Sequence, residues 1–324
     1  MDEPRTPVLP APRVLVLGGG GFIGRHAVAA LIERGAAVMV GSRYPERLLR
    51  RLPAAAQGCR RLQVQFERLL AAEHWLPLLD DVDVVVNCVG ILRPRGRETY
   101  QRVHHLAPAA LAEACRRLGR RLVHVSALGL ESPMRSGFLR SKADGEAALR
   151  RSGADCCIVR PSLLDAEYGG YGAAWIRRVA RWPVHAVPAD AGGLIAALDV
   201  RDLGQALAVL AYRGHLAMKD GPAEFELGGD TALALGDYLA ALRRRHSPRR
   251  AWRIRVPGLV ARLASHVCDL LRLTPFSFGH WELLRRDNVP RFNALPELLG
   301  RAPRSIIGEA TAPGAVAPGL VASM

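Results

Sequence analysis

The sequence has 324 residues, of which 49% are hydrophobic, enough for one large α/β domain with an appended lobe. It has no apolar run of the ~18 residues that a membrane span needs and no signal-peptide pattern at its start, and its six cysteines follow no CxxC or disulfide spacing. The net charge of +15 comes almost entirely from arginines spread along the chain without a nucleic-acid-binding motif, so the sequence predicts a cytoplasmic protein with no specific nucleic-acid partner.

The first predicted element is a buried strand at 13–17, followed by the glycine-rich segment GGGGFIG at 18–24 and then by helical apolar spacing. A strand, a glycine turn and a helix in this order indicate a dinucleotide-binding motif. Gly18 would permit the tight turn, Gly21 would let the backbone approach a pyrophosphate, and Gly24 would let the helix pack on the strand. The helix N-terminus would then bind the phosphates.

The second predicted strand ends near Val40 and is followed by Gly41, Ser42 and Arg43. A carboxylate at this point would bind the ribose 2′-hydroxyl of NAD, and none is present. The hydroxyl of Ser42 and the guanidinium of Arg43 suit a 2′-phosphate. The sequence therefore favours NADP(H), with NAD(H) as the alternative; an ordinary surface role is the alternative for Arg43.

Alternating strands and helices continue through the first half of the chain. The third to sixth strands are predicted at 61–66, 82–90, 121–129 and 155–162. This alternation predicts a doubly wound parallel (Rossmann) sheet, with its ligand site beyond the carboxyl ends of the strands.

The domain boundaries follow from this pattern. Residues 12–162 and 196–213 are predicted to form the NAD(P)-binding domain, and residues 163–195 and 214–300 a smaller substrate or partner lobe. The last part of 301–324 is rich in alanine, glycine and proline, and this stretch is predicted to be a disordered tail.

Two segments of the lobe carry alternative interpretations. The basic cluster RRRHSPRRAWRIR at 243–255 is interpreted as a solvated helix end and loop. The segment 258–273 is interpreted as an amphipathic packing helix. Its apolar face is predicted to consist of Leu259, Leu263, Val267, Leu270 and Leu271. The alternative for both segments is contact with a partner protein or an anionic membrane surface, which would make the protein peripheral to the membrane.

The ordered motifs GGGGFIG, NCVGIL, HVSALG, FxxxK and IVRPS resemble those of the extended and atypical short-chain dehydrogenase/reductases, over about residues 12–240. Within that family the likeness is strongest to the branch of the nucleotide-binding accessory subunit of respiratory complex I and its bacterial relatives. The resemblance implies a Rossmann fold, a nicotinamide nucleotide and chemistry of the oxidoreductase or NAD-dependent epimerase/dehydratase type.

The resemblance also implies cofactor-binding positions. The pyrophosphate would lie against Gly18, Gly21, Phe22, Ile23 and Gly24. The adenosine phosphate would be bound by Arg43. The adenine-side ribose and the path to the nicotinamide would be lined by Cys88, Val89 and Gly90. The nicotinamide carboxamide would contact the backbone of Pro161 and Ser162.

Phe138 stands where this family carries its catalytic tyrosine, and Ser126 and Lys142 stand at the positions of its serine and lysine. A phenyl ring cannot donate a proton, and acid–base help is worth roughly 10²–10⁴-fold, so we expect standard carbonyl reduction to be very slow. Lys142 is one of two lysines in an arginine-rich chain, which favours a retained contact of its ammonium with the nicotinamide ribose. The hydroxyls that could replace the missing one belong to Tyr100, Tyr168 and Tyr171.

The sequence thus predicts an NADP(H)-binding protein with weak or non-standard oxidoreductase activity, acting as a redox-sensing or respiratory-assembly component. One alternative is an active NADPH-dependent enzyme that uses another acid on a quinone-like or isoprenoid-like substrate. Another is a nucleotide-binding regulator. The histidines show no HxxxH or HxH pairing, so no metal site is predicted.

Overall fold

A computed structural model describes most of the chain. The described residues are 11–50, 52–131, 133–213, 217–218, 221–272 and 274–308. The strands are β1 Arg13–Leu17, β2 Ala37–Ser42, β3 Arg60–Gln63, β4 Val84–Asn87, β5 Arg121–Val125, β6 Cys156–Pro161, β7 Leu164–Asp165, β8 Val184–Pro188, β9 Leu194–Ile195, β10 Leu198–Asp199, β11 Ala217–Met218, β12 Gly221–Leu227, β13 Leu233–Ala234 and β14 Trp252–Val256.

Helices connect most of these strands. The α-helices are α1 Gly24–Glu33, α2 Leu76–Leu79, α3 Ala107–Leu118, α4 Gly137–Ser152, α5 Tyr171–Ala180, α6 Val200–Tyr212, α7 Leu235–Arg244, α8 Gly258–Leu271, α9 Phe278–Leu284 and α10 Leu295–Leu299. Short 3₁₀ helices lie at Pro45–Arg50, Ala54–Ala56, Phe66–Arg68 and Ala72–His74. A π-helical segment, Gln101–Leu106, runs directly into α3.

The central sheet has eight strands in the order β11-β12-β6-β5-β4-β1-β2-β3. All neighbouring pairs are parallel except β11 with β12, so seven strands form a parallel sheet with helices on both faces. The predicted doubly wound parallel sheet is confirmed. Three two-stranded sheets, β7 with β10, β9 with β13 and β8 with β14, lie outside it.

Strand β1 shows how the sheet separates two cores. Val14 and Val16 pack on one face with residues of α1, α6 and α10, and Leu15 and Leu17 pack on the other with residues of α2 and α3. All four side chains are fully buried. Successive side chains of a strand point to opposite faces of the sheet, so this continuous apolar run places hydrophobic side chains on both faces, as expected for a buried parallel strand.

Strand β12 belongs to the central sheet, although the sequence placed its residues in the lobe. It lies parallel to β6, with Ala223 opposite Cys157 and Leu227 opposite Pro161. Its glutamates interrupt the continuous apolar run that marks the other buried strands of the sheet. One of them, Glu224, lies 2.8 Å from the buried guanidinium of Arg160 in β6, which accounts for an acidic residue at this position.

The segment after α10 returns to the body of the protein. Arg301 and Arg304 both form ion pairs with Asp202, a fully buried residue of α6. Ile306 and Ile307 are buried in the core of the lobe beside α7. The remainder of the predicted tail, 309–324, lies outside the described residues. Among the residues described, we find no helix with the length and apolar character needed to cross a membrane.

Candidate functional site

The crevice between β1 and β4 is the point where the strand order reverses, and ligands of doubly wound sheets bind at such a point. Gly18 follows β1 and Cys88 follows β4. Gly18 has φ +72°, and a β-carbon on it would lie 3.2 Å from the Val89 side chain and 3.3 Å from the Cys88 carbonyl oxygen. The two predicted cofactor motifs therefore meet at the floor of the crevice.

The glycine turn forms a close cradle at the start of α1. The Gly21 N–H donates to the Gly18 carbonyl oxygen at 2.8 Å, and a β-carbon on Gly24 would overlap that same oxygen. Among the described residues, the N–H groups of Phe22, Ile23 and Gly24 have no acceptor, and no side chain caps the helix. Free N–H groups at a helix N-terminus carry partial positive charge, so the cradle fits a pyrophosphate.

A glycine-containing loop after β7 lies against this cradle. The Arg25 guanidinium donates to the Tyr168 carbonyl oxygen at 3.2 Å, and a β-carbon on Gly170 would lie 2.7 Å from the Phe22 ring. The Tyr168 and Tyr171 side chains are mainly exposed. This loop closes the outer side of the phosphate site through backbone contacts.

The loop after β2, where the sequence predicts the adenosine phosphate, carries a charged and aromatic cluster that was only partly predicted. Arg43 forms an ion pair with Glu98, and the Arg43 and Arg47 guanidinium groups lie 5.9 and 4.7 Å from the centre of the Tyr44 ring. The Ser42 hydroxyl accepts a hydrogen bond from the Tyr44 N–H at 3.3 Å. Sequence reasoning missed Tyr44 and Arg47, although the four-residue spacing of the arginines in RYPER was available. Glu98 is distant in sequence and carried no signal.

At the nicotinamide end, His104 is held in one tautomer. The Ile91 N–H can only donate, so His104 Nε2 accepts this bond at 3.1 Å and Nδ1 carries the proton. Nδ1 then donates to the Ser141 hydroxyl at 3.0 Å, and that hydroxyl donates to the Phe138 carbonyl oxygen at 2.9 Å. Burial, with the nearby charge of Lys142, lowers the pKa of His104 to about 2. His104 is therefore neutral and structural at physiological pH.

Phe138 lies in an aromatic cluster at the first turn of α4. Its ring centre is 5.8 Å from that of Tyr100, 5.5 Å from that of His104 and 6.2 Å from that of His280. The Tyr100 hydroxyl donates to the Leu92 carbonyl oxygen at 2.8 Å, and burial raises its pKa to about 12. Tyr100 is thus close to the position of the missing tyrosine, but its hydroxyl already donates its proton in a hydrogen bond to the backbone.

Lys142 lies one turn further along α4. Its Nζ is 5.8 Å from the centre of the Phe138 ring, and it has no hydrogen-bond acceptor within the described part of the chain. Burial lowers the pKa of the ammonium to about 8, against the opposing attraction of Glu146. A partly buried cation with free donors can bind a ligand hydroxyl or transfer a proton.

The remaining predicted positions lie on the neighbouring strands. The Ser126 hydroxyl is buried near the Glu146 carboxylate and has no partner in hydrogen-bond geometry among the described residues. The Ser162 N–H donates to the Leu227 carbonyl oxygen, and its hydroxyl lies 2.7 Å from Asn288 Oδ1. Cofactor contacts by Pro161 and Ser162 remain predictions.

The cysteine predicted to line the ribose, Cys88, is protonated because burial raises its pKa to about 12. Gly90 lies beside His104, since a β-carbon on Gly90 would be 3.8 Å from Nε2. The segment 88–90 thus lies between the glycine turn and the aromatic cluster. Among the described residues, no group of three or more His, Cys, Asp or Glu side chains could hold a metal.

Comparison with known proteins agrees with this geometry. Residues 18–176 match a protein family described as NAD(P)H-binding. The matched domain and the ordered motifs are similar to those of the atypical short-chain dehydrogenase/reductases. The resemblance predicted from the motifs is confirmed, and the protein carries an NAD(P)H-binding domain.

Two curated proteins are similar over part of their length. The chain is 30% identical to ceramide reductase of Caulobacter vibrioides (strain NA1000 / CB15N) over 156 residues, which are 47% of this chain and 46% of that protein. It is 26% identical over 168 residues to NADH dehydrogenase [ubiquinone] 1 alpha subcomplex subunit 9, mitochondrial, of Dictyostelium discoideum, covering 52% of this chain and 47% of that one. The chain thus spans about half the length of the curated relatives it matches.

The fold is shared with solved epimerase structures. UDP-glucuronic acid 4-epimerase from Bacillus cereus, solved with UDP-glucuronic acid and NAD, superposes with a TM-score of 0.62. The identity is 15%, and the match covers 91% of this chain and 95% of the epimerase. At this identity the likeness shows the fold alone.

Proposed function

We propose that this protein binds NADP(H) in the crevice between β1 and β4 and catalyses standard carbonyl reduction only weakly. It would act as a redox-sensing or respiratory-assembly component. The observation that carries this proposal is the position of Phe138, whose ring occupies the cluster where a tyrosine hydroxyl would deliver the proton. A phenyl ring has no exchangeable proton, whereas the phosphate cradle is intact.

The preference for NADP(H) is supported by the cationic cluster at the adenosine end. Arg43 and Arg47 flank the Tyr44 ring, and guanidinium groups bind phosphates through paired hydrogen bonds. Calorimetric titration of the purified chain with NADPH and NADH tests this preference. In Arg43→Ala we expect NADPH affinity to fall by about tenfold or more and NADH affinity to change little. Equal losses for both nucleotides would show that no 2′-phosphate is bound there.

A bound nicotinamide nucleotide supplies the hydride donor or acceptor of the family's chemistry. The residues of this chain would orient it. The free N–H groups of α1 would hold the pyrophosphate, and the Lys142 ammonium would donate to the nicotinamide ribose. We expect Lys142→Ala to weaken binding of both NADPH and NADH, even where no turnover occurs.

The second candidate function is reduction of a lipid carbonyl with Lys142 as the proton donor. Hydride would add to the carbonyl carbon, and the carbonyl oxygen would take a proton from the ammonium. The free donors of Lys142 favour this candidate, as does the similarity to a protein named ceramide reductase. NADPH oxidation measured with long-chain lipid ketones, on the wild type and on Lys142→Met, tests it. Turnover that disappears in Lys142→Met while NADPH still binds would favour this second function over the first.

A further inference from the structure

Helix α8 presents its apolar side to solvent. Leu259, Leu263 and Leu270 are 78%, 65% and 80% exposed, and Val267 and Leu271 are exposed as well. At 100° per residue, these five side chains lie on one side of the helix. The sequence pattern predicts that this face packs against the lobe. It is instead the outer face, so that interpretation is wrong.

The opposite face of α8 explains this orientation. Its buried residues are the small Ala261 and Ser265, which bring the helix close to the lobe. Asp269, on the same side, accepts hydrogen bonds from the Arg93 guanidinium at 3.0 Å and from the Phe278 N–H at 2.9 Å. These contacts fix the rotation of the helix about its axis, so the leucines cannot turn inward without breaking them.

An arginine-rich pocket of about 420 Å³ opens at the N-terminal end of α8. Leu259 of the apolar stripe lines it. Its basic residues are Arg135, Arg262, Arg285 and Arg286. Two donors of the pocket residues are buried without an acceptor among the described residues: the indole N–H of Trp281, a side chain 6% exposed, and Nη1 of Arg286.

Both acidic residues of the pocket have partners, although the second oxygen of Asp190, Oδ1, is buried without a donor among the described residues. The Asp190 carboxylate lies 3.1 Å from the Arg285 guanidinium, and Glu282 accepts hydrogen bonds from the Arg135 and Ser136 N–H groups. Four guanidinium groups against two carboxylates leave the pocket positively charged. Buried donors without acceptors are costly, and an anion would satisfy them.

The strand before α8 adds further amphipathic character. In β14, Trp252 is 80% exposed and Ile254 is also exposed. Arg250 and Arg255 are exposed too, and they have no carboxylate partner in the described ranges. Exposed leucines and tryptophan bordered by arginines are the composition of helices that lie in the interface of an anionic bilayer.

We propose that α8 and the pocket at its N-terminal end form a docking site for an anionic phospholipid bilayer. The leucine stripe enters the boundary between head groups and acyl chains, and the pocket binds a lipid phosphate through Arg262 and Arg285 with the Trp281 indole N–H. The chemistry favours a bilayer over a protein partner, because the stripe is aliphatic and the arginine-rich pocket adjoins it at Leu259. The site lies outside the crevice between β1 and β4.

Vesicle flotation of the full chain tests this proposal. Vesicles of phosphatidylcholine alone are compared with vesicles that also contain phosphatidylglycerol. Leu263→Glu and Leu270→Glu place a charge on the stripe, and Phe292→Glu is the matched control because Phe292 is 88% exposed on a segment outside α8. Arg262→Gln is compared with Arg61→Gln, an exposed arginine of β3. Circular dichroism checks that each variant is folded.

We expect the wild type to float with the anionic vesicles and only weakly with the neutral ones. Each leucine variant should bind roughly tenfold more weakly or worse, because a buried Leu side chain contributes at least that factor to partitioning. Phe292→Glu should bind as the wild type does. Arg262→Gln should lose more affinity for anionic vesicles than Arg61→Gln, and this difference would support the pocket.

Three results would overturn the proposal. Unchanged flotation of both leucine variants would show that binding is only general attraction between charges. Calorimetric binding of inorganic phosphate, lost in Arg262→Gln, without flotation of the wild type would identify a site for a free anion. A dimer detected by light scattering in the wild type but not in Leu263→Glu, again without flotation, would show that a second copy of the chain covers the stripe.

Discussion

The ammonium nitrogen of Lys142 lies 5.8 Å from the centre of the Phe138 ring. In this family a tyrosine would stand at that ring, and the lysine would lower the pKa of its hydroxyl. Among the described residues, the Lys142 ammonium has no hydrogen-bond acceptor and lies over the face of an aromatic ring, an attraction worth about 0.5–2 kcal/mol. If the resemblance holds at this site, the proton-transfer pair of the family is reduced to Lys142 in this chain.

Restoring the hydroxyl is the most direct change. We expect Phe138→Tyr to accelerate NADPH-dependent reduction of a carbonyl panel by about 10²–10⁴-fold, because the new phenol would lie beside Lys142 and could donate a proton. NADPH oxidation measured by absorbance gives the rate. Phe138→Leu is the control, since it alters the cluster without adding an acid. Equal rates for the two variants would mean that the missing hydroxyl is not what limits turnover.

The ion pair between Arg43 and Glu98 would oppose the proposed binding of a 2′-phosphate. Glu98→Gln removes a negative charge near the phosphate and frees the guanidinium, so we expect NADPH to bind severalfold more tightly, equivalent to about 1 kcal/mol at a partly exposed site. NADH binding should change less, and the gain should shrink at high salt. Titration calorimetry at two salt concentrations measures both. A larger gain for NADH would place Glu98 at the ribose hydroxyls instead.

The lowered pKa of Lys142 predicts a pH dependence of stability. Its pKa is about 8 in the folded protein and 10.5 for the free side chain. Between these values the unfolded state binds more protons, so this group makes the free energy of unfolding rise as pH increases from about 8 to 10.5. Lys142→Met should be more stable than the wild type at pH 7, and its free energy of unfolding should rise less between about pH 8 and 10.5. Urea unfolding of both proteins across this pH range tests the difference, and parallel curves would contradict the assignment.

The phosphate cradle depends on the absence of a side chain at Gly24. A β-carbon there would overlap the Gly18 carbonyl oxygen, so Gly24→Ala must displace the turn from the helix. We expect nucleotide affinity to fall by about tenfold or more and the melting temperature to drop. Gly192→Ala is the control, because a β-carbon at Gly192 meets no atom within 4 Å. Nucleotide binding that survives in Gly24→Ala would place the pyrophosphate elsewhere.

The sequence alone predicted the parts of this protein that depend on local pattern. The run RVLVL, the glycine turn after it and the helical spacing that follows predicted β1, the cradle and α1, because strand burial, tight turns and helix packing each require particular residues at neighbouring positions. The replacement at Phe138 was visible from the resemblance, because the family carries a tyrosine four residues before the lysine that matches Lys142.

Only the tertiary structure decided the features that arise where distant segments meet. Glu98 pairs with Arg43 from another loop, and His280 reaches Phe138 from the far end of the chain. The orientation of α8 also depends on contacts with segments that are distant in sequence. Periodicity shows that a helix has an apolar stripe, but the small residues Ala261 and Ser265 and the hydrogen bonds of Asp269 determine which side it presents to the protein. Contacts between segments far apart in sequence leave no periodic signal in either of them.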